Sequence, residues 1–438
     1  MQPLVRIELS PPQDRSVKIL AGGDFCLWMP ASASALRDGP EGLLAPELLV
    51  ACRSSDICSV NLECPLFASD EPIIKAGPAL VGHQAVASLL KTAGVNVAVL
   101  ANNHILDYGP GAAIKTSELC RREGIQPVGV GPDLETAERP IIVEAGDLRV
   151  AVLALAEQEF STAGTRSAGS AKLDLVRAHR LIGEARRDAD IVIVNVHGGN
   201  EFYFAPSPRM QSWYRFLVDC GAHAVIGHHP HVVQGMEIYR GSPIFYSLGN
   251  LLFEYSGRLP PAWYVGLLAQ LQVSRGGVQS VEILAVRQNV ADGQIRLEPL
   301  ADGLKSRFEQ RFRRLSQIAA DPELVSQFWR CFALERGGGN LTRLKAAAGV
   351  TRGRLMSLIK LGIKYGGPHY FAAALAHVLG RRATRRSLRQ QEAMVLLNLF
   401  RCPAHHEVIT SVLEMELDGS GAEAAVWDEY QELMKDCR

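Results

Sequence analysis

Three imidazoles crowd one short stretch of the chain. In "AVIGHHPHVVQG" (224–235), His228, His229 and His231 follow an apolar run and bracket Pro230. Imidazole is both a common metal ligand and the side chain that titrates nearest neutral pH, so metal binding and proton transfer are both open. His229 and His231 are two apart, and the proline ring stiffens the turn so that both can aim at one centre. His228 then points elsewhere, toward a supporting or substrate contact. A lone histidine is more often a satisfied core residue, but this motif has company. Four earlier apolar runs end in the same manner: "VKILAGGD" at Asp24, "ICSVNLE" at Asn61 and Glu63, "VNVAVLANNHILDYG" across 102–107, and "IVIVNVHGGNE" at His197 and Glu201. Five successive polar run ends, rich in carboxylate, amide and imidazole donors, exceed what fold stability requires.

Within "ANNHILDYG" (101–109), Asn103 offers a hard amide oxygen, and His104 and Asp107 are three apart. On one helical turn they would share a face, where a carboxylate on Nδ1 fixes the tautomer and raises the basicity of the ring. That pairing suits general acid–base work. The competing reading makes Asp107 a helix N-cap. Asp24 with one of the histidines at 228–231 would form a second acid–base unit. The glycines of "GGD" and "HGGN" suit close backbone approach. No GxxxxGK[ST] phosphate loop is present.

The elements that must position these residues can be read between them. Short β-branched runs alternate with amphipathic helical patterns over 17–255: "GHQAVASLLKTAG", "GAAIKTSELCRREG", "LVRAHRLIGEARRDA" and "SPRMQSWYRFLVDCG", most of them stopping at glycine. Alternation of this kind predicts a layered α/β fold with ligand groups at the strand ends. Residues 236–300 read as hairpin-connected strands that finish the sheet. Beyond about 305 the pattern turns helical and rich in Ala, Leu and Arg, with expected breaks at "RGGGN" (336–340) and "YGGP" (365–368). Two parts are therefore expected, 1–304 and a helical extension over 305–438.

Charge supports that division. The formal net charge is zero, yet 305–401 carries 19 Lys and Arg against five acids, and 402–438 carries nine acids against two bases. The basic run "RRATRRSLR" (381–389) could meet nucleic acid, but a solvated helix face paired with the acidic tail is the better expectation. Nine cysteines are scattered without a CxxC, which argues against a disulfide framework. The start lacks a long apolar stretch, and no window suits a membrane helix. A soluble cytoplasmic protein without a membrane anchor is expected; the oligomeric state is open.

These residues, in this order, resemble the CapA family of metallophosphatase-like proteins of poly-γ-glutamate capsule synthesis. The resemblance lies in "GD" (23–24), "NLECPL" (61–66), "AGPAL" (76–80), "LANNHILDYG" (100–109), "HGGNEFYFAPSP" (197–208), "GAHAVIGHHPHVVQG" (221–235) and "YSLGN" (246–250). It implies a calcineurin-like four-layer α/β/β/α sandwich with metal ligands on the loops after strands. Carried over by position, Asp24, Glu63, Asn103, His197, His229 and His231 form the metal set, and His104 is the acid–base histidine. Asn61, Glu201, His228 and Asn250 stand as substrate contacts. Dimetal phosphoesterases carry Asp-x-His on the first strand, whereas Asp24 is followed by Phe25 and Cys26. One firmly held divalent ion is therefore expected, with Ca, Mn or Mg ahead of Zn.

Three functions fit this set. The first is Cα epimerisation of a ribosomal, lasso-type precursor peptide, with His104–Asp107 and Asp24 with His229 or a neighbouring histidine as opposed bases; the resemblance implies it, since CapA-like proteins include such epimerases. The second is metal-dependent hydrolysis or transfer at γ-glutamyl amides or phosphoesters in capsule synthesis. The third is a non-catalytic accessory protein that binds metal or polymer. The expected partner is a peptide or a polyanionic polymer.

Overall fold

The computed structural model describes residues 2–11, 16–28, 32–68, 71–255, 259–291, 294–348, 398–399 and 401–438. Two β-sheets carry the architecture. The larger has nine strands, with four parallel neighbours running out to one edge: Val17–Cys26, Ile57–Leu62, Val97–Val99 and Gln126–Val128. Antiparallel strands Val265–Ser274, Gly277–Ala291 and Gln294–Pro299 extend it, as expected for that part of 236–300. The hairpin Met236–Tyr239 and Ser242–Phe245 instead joins the smaller sheet, and Asn250–Phe253 pairs in parallel with Val17–Cys26. The smaller has six strands, and Leu148–Ala156, Ile191–His197, Ala224–His228 and Ser242–Phe245 run parallel in it.

Three separate apolar cores fix the layering. One lies between the larger sheet and the helices Pro46–Arg53, Ala85–Ala93 and Gly109–Arg122. A second is shared by the two sheets: Ile19, Val99 and Leu267 from the larger meet Val152, Ile193 and Ile226 from the smaller. A third seats helices Leu175–Asp188 and Pro208–Asp219 on the far face of the smaller sheet. Helix, sheet, sheet, helix is the four-layer α/β/β/α sandwich expected from the resemblance. Strands buried on both faces read as unbroken apolar runs, which is why "IVIVNV" and "VAVLALA" lack alternation.

The helices start and stop where their sequences direct. Asp174 accepts from the backbone N–H groups of Val176 and Arg177 at 3.1 and 3.2 Å, and Ser207 caps Met210 at 3.2 Å ahead of Pro208. Gly94 ends its helix in the left-handed conformation at φ 105°, where a side chain would be strained.

Contacts divide the chain into two units. One comprises 1–73, 79–326 and 428–438; the other comprises 74–78 and 327–427. Helix Asp302–Ala320 runs through the 304/305 position and belongs to the first unit. The expected break at "RGGGN" does not occur, because helix Pro322–Ala348 continues through 336–340. A Cβ on Gly337 would lie 2.3 Å from Val412 of helix Pro403–Asp418, so the glycine serves close helix packing. "YGGP" and "RRATRRSLR" lie outside the described residues. Among the described residues, no helix is long and apolar enough to cross a membrane.

Candidate metal and acid–base site

Parallel strands of both sheets direct their C-terminal ends to one place. Asp24 was expected at a strand end, but its strand continues to Cys26 because Asn250–Phe253 pairs alongside Asp24, Phe25 and Cys26. The Asp24 N–H donates to Gly249 O at 3.0 Å, and a Cβ on Gly23 would fall 1.9 Å from that oxygen. The glycine of "GGD" thus permits a backbone contact that seats Asp24, as its type suggests. Asn61 also lies inside its strand, His197 and His228 close theirs, and Glu63, Asn103, His229 and His231 sit on the loops beyond.

The side chains converge. His197 Nε2 lies 3.0 Å from Asn103 Oδ1, 3.1 Å from His229 Nδ1 and 3.5 Å from Glu63 Oε1. His231 Nε2 is 3.6 Å from the same Glu63 oxygen, and His231 Nδ1 is 3.6 Å from Asp24 Oδ2. Two donor triads result, Glu63–His229–His231 and Asp24–Glu63–His197, with Glu63 common to both. His228 belongs to neither triad: its Nε2 faces Asn195 Oδ1 at 3.3 Å and its Nδ1 faces Asp24 Oδ1 at 3.4 Å.

The supporting contacts hold this set rigid. Asn61 Nδ2 donates to Asp24 Oδ1 at 2.8 Å and lies 3.2 Å from His197 Nδ1. Asn250 Oδ1 faces His231 Nδ1 at 2.9 Å. Asn61, His228 and Asn250, expected as substrate contacts, are buried and engaged with the site's own residues. Glu201 is exposed, and its charge acts on His231 from outside this bonded cluster. His229 and His231 have φ of 95° and 59°, and Phe202, whose N–H donates to Pro230 O at 2.9 Å, has φ of 58°. Three non-glycine residues in the left-handed region mark two adjoining loops held in shape by their surroundings, at about 1–3 kcal/mol each.

Electrostatics favour a cation. Burial raises the tendency of Asp24 to hold its proton, but His228, His231 and Asn61 outweigh it and keep its carboxyl below the usual range. Burial, and then the neighbouring imidazoles, push His197 well below its ordinary value, so its ring is neutral. Burial likewise lowers His231, although Asp24 and Glu201 oppose the shift. Buried carboxylates beside the His197 and His231 rings, both shifted toward the neutral form, are costly to bury unless compensated. A divalent ion fits that donor set, with carboxylate and amide oxygens as hard ligands and imidazoles as borderline ones.

Beside it stands the second expected feature. His104 Nδ1 pairs with Asp107 Oδ2 at 2.6 Å, and the N–H of Leu80 donates to the same carboxylate at 2.7 Å. Asp107 is therefore not the helix N-cap; Tyr108 occupies that position. The "AGPAL" segment ends in the Leu80 amide that steadies this dyad. The Asp107 contact on Nδ1 fixes the orientation of the His104 ring.

Two groups escaped the sequence reading. Glu157, just past strand Leu148–Ala156, accepts from the Gly199 N–H at 2.8 Å and pairs with Arg209, so it holds the "HGGN" loop. The polar end of "VAVLALAE" was its signal. Trp263 lies 4.9 Å from the His231 ring and stacks near Phe202, 5.8 Å between ring centres. No local pattern announces it.

Known proteins share part of this sequence. A family model described as bacterial capsule synthesis protein PGA_cap matches residues 18–255. The capsule biosynthesis protein CapA of Bacillus anthracis is 31% identical over 211 residues, covering 46% of this chain and 51% of that protein. A probable polyglutamine synthesis accessory protein of Mycobacterium tuberculosis is 32% identical over 219 residues, covering 47% and 57%. The chain thus spans about half the length of the curated relatives it matches. Among solved structures, calcineurin-like phosphoesterase YfkN from Bacillus subtilis aligns with 71% of this chain and 99% of its own, at 11% identity and a TM-score of 0.36.

Proposed function

Because the chain belongs to the family described as bacterial capsule synthesis protein PGA_cap, we propose that it is a divalent-metal enzyme of the hydrolase or transferase type, acting at γ-glutamyl amide bonds of a capsule polymer. One observation carries this reading. The His104–Asp107 dyad follows directly on Asn103, whose oxygen belongs to the converged donor set with His197, His229 and Glu63.

A cation held by Asp24, Glu63, Asn103, His197, His229 and His231 would supply polarisation of a bound carbonyl or phosphoryl oxygen. The protein's own residues do the rest. His104 Nε2 takes a proton from the attacking water or hydroxyl and returns it to the departing amine, while Asp107 keeps the ring in the required tautomer. Asp107 is itself steadied by the Leu80 amide. Asn103, His104, His229 and His231 keep a little exposure, whereas Asp24, Asn61 and His228 are sealed from solvent.

Cα epimerisation of a precursor peptide is the second reading, and the His104 dyad favours it as one base. It needs another base on the opposite face. Asp24 is 0% and His228 1% exposed, so His229 or His231 would have to serve. The two readings part in one experiment. Protein stripped with EDTA and reloaded with Mn, Mg, Ca or Zn is incubated in D₂O with γ-glutamyl oligomers and with a precursor peptide. Metal-dependent shortening or transfer of the oligomer, abolished by His104→Ala, supports the proposal. Deuterium uptake at a single Cα without mass loss from cleavage overturns it in favour of epimerisation. Full activity after EDTA treatment overturns both.

A further inference from the structure

Behind the histidine loop, on the first unit, lies a second cavity that the metal chemistry does not use. Its volume is about 170 Å³, and Val233, Val265 and Phe308 are among its apolar lining residues. Arg287, Arg307 and Arg311 also line it, with Asp436 as the single acid. Arg311 is already engaged, donating to Leu433 O at 2.8 Å and facing Asp436 at 3.5 Å. Arg287 is exposed, and among the described residues no hydrogen bond or ion pair joins its guanidinium to an acid. Glu298, its partner in strand register, is taken up by Asn289 at 2.5 Å and Arg296 at 3.5 Å. Arg307 is likewise exposed. Leu304 stands on the rim, 43% exposed.

We propose that this cavity binds a small carboxylate with a compact apolar body. The head would sit on the guanidiniums of Arg287 and Arg307, and the body against Val233, Val265 and Phe308. Charge and shape both select this ligand. Planar guanidiniums match a carboxylate through paired charge-assisted hydrogen bonds. The three guanidiniums outnumber the two carboxylates they act on, Asp436 and Glu432, and this excess rewards one further negative charge. The apolar wall rejects a fully hydrated anion, since its burial value is realised only by carbon. The volume is below the roughly 300 Å³ of a site for a drug-sized molecule, so a short body fits and a long chain does not. Two sources carry this chemistry, a free branched acid and the apolar carboxyl-terminal residue of a peptide. The proposal stands apart from the metal reading, because none of its residues belongs to the donor set.

The test is calorimetric titration with isocaproate, N-acetyl-leucine and N-acetyl-leucine amide. EDTA is kept present so that no ion in the histidine cluster captures a carboxylate. Both acids should bind saturably, and the neutral amide at least about tenfold more weakly, a loss of about 1.4 kcal/mol. The double variant Arg287→Ala/Arg307→Ala should lose the same factor while keeping its melting temperature, since both residues are exposed. Tighter binding of N-acetyl-leucine than of isocaproate identifies a peptide terminus as the source, and the reverse order a free acid. Absence of saturation up to about 10 mM overturns the proposal. So does equal affinity for acid and amide, or undiminished binding by the double variant.

Discussion

The two sheets contribute different elements to the same site. The larger brings oxygen: the carboxylates of Asp24 and Glu63 and the amides of Asn61, Asn103 and Asn250 lie on its strands or on the loops beyond them. The smaller brings nitrogen, through His197, His228, His229 and His231. Neither sheet holds a complete donor set. The triads Glu63–His229–His231 and Asp24–Glu63–His197 each cross from one sheet to the other. The distance between oxygen and nitrogen donors is therefore set by the apolar core between the sheets, and a cation bound by both would link its affinity to sheet packing.

The largest test of this division removes the residue common to both triads. Glu63→Ala should abolish measurable cation binding by calorimetry. The loss should exceed the about 10–100-fold that follows when only an outer partner of a ligand is removed. Asn61→Ala, which takes away a donor to Asp24, should fall within that smaller range. If the two variants behave alike, the triads do not share a ligand.

Next in size is the packing that spaces the sheets. Leu267 is fully buried in the core between them. Leu267→Ala should cost about 2–5 kcal/mol in denaturant unfolding. By linkage, saturating Mn should restore a larger share of that stability than it restores to a variant in the outer core, such as Leu181→Ala. Equal restoration would separate spacing from binding.

A smaller effect appears with acid. His223, just before strand Ala224–His228, accepts the Val192 N–H on Nδ1 at 2.8 Å, and Arg186 faces its other nitrogen. Burial, and then Arg186, push its pKa down to about 4. The ring is neutral when folded and, with an ordinary pKa near 6.5, takes up a proton when unfolded. Its contribution is therefore complete above about pH 6.5 and is lost as the pH falls toward 4, by an amount on the order of 2 kcal/mol. Melting curves from pH 7 to 4 should be flatter for His223→Gln than for the parent chain.

The smallest change lies on the outer layer of the smaller sheet. Gly183, inside helix Leu175–Asp188, has open space where a Cβ would stand. Gly183→Ala should raise stability by about 0.5–1 kcal/mol in denaturant unfolding and leave cation affinity unchanged.

Much of the site was legible because its residues terminate local patterns. Apolar runs predicted the parallel strands, glycines predicted helix ends such as Gly94, and polar run ends marked Asp24, Glu63, Asn103, His197 and His229. What stayed hidden was non-local. The pairing of Asn250–Phe253 with Asp24, Phe25 and Cys26 joins segments more than 220 residues apart, and it moves Asp24 into a strand. The contact between Gly337 and Val412, which lets a helix run through three glycines, likewise depends on a distant partner. Glu157 and Trp263 act through neighbours brought near only by the fold.

The left-handed backbone at His229 and His231, locked around Pro230, reaches beyond the positioning of two rings. A cradle built before its ion arrives cannot adjust freely to ions of different radius. Calcium shells of about 2.3–2.6 Å and magnesium shells of about 2.0–2.1 Å then present unequal misfits to the same fixed nitrogens. Were a cation held there, selectivity for one ion over another would be written into a loop conformation. Relaxing that loop, rather than exchanging its ligands, is the way to blur it.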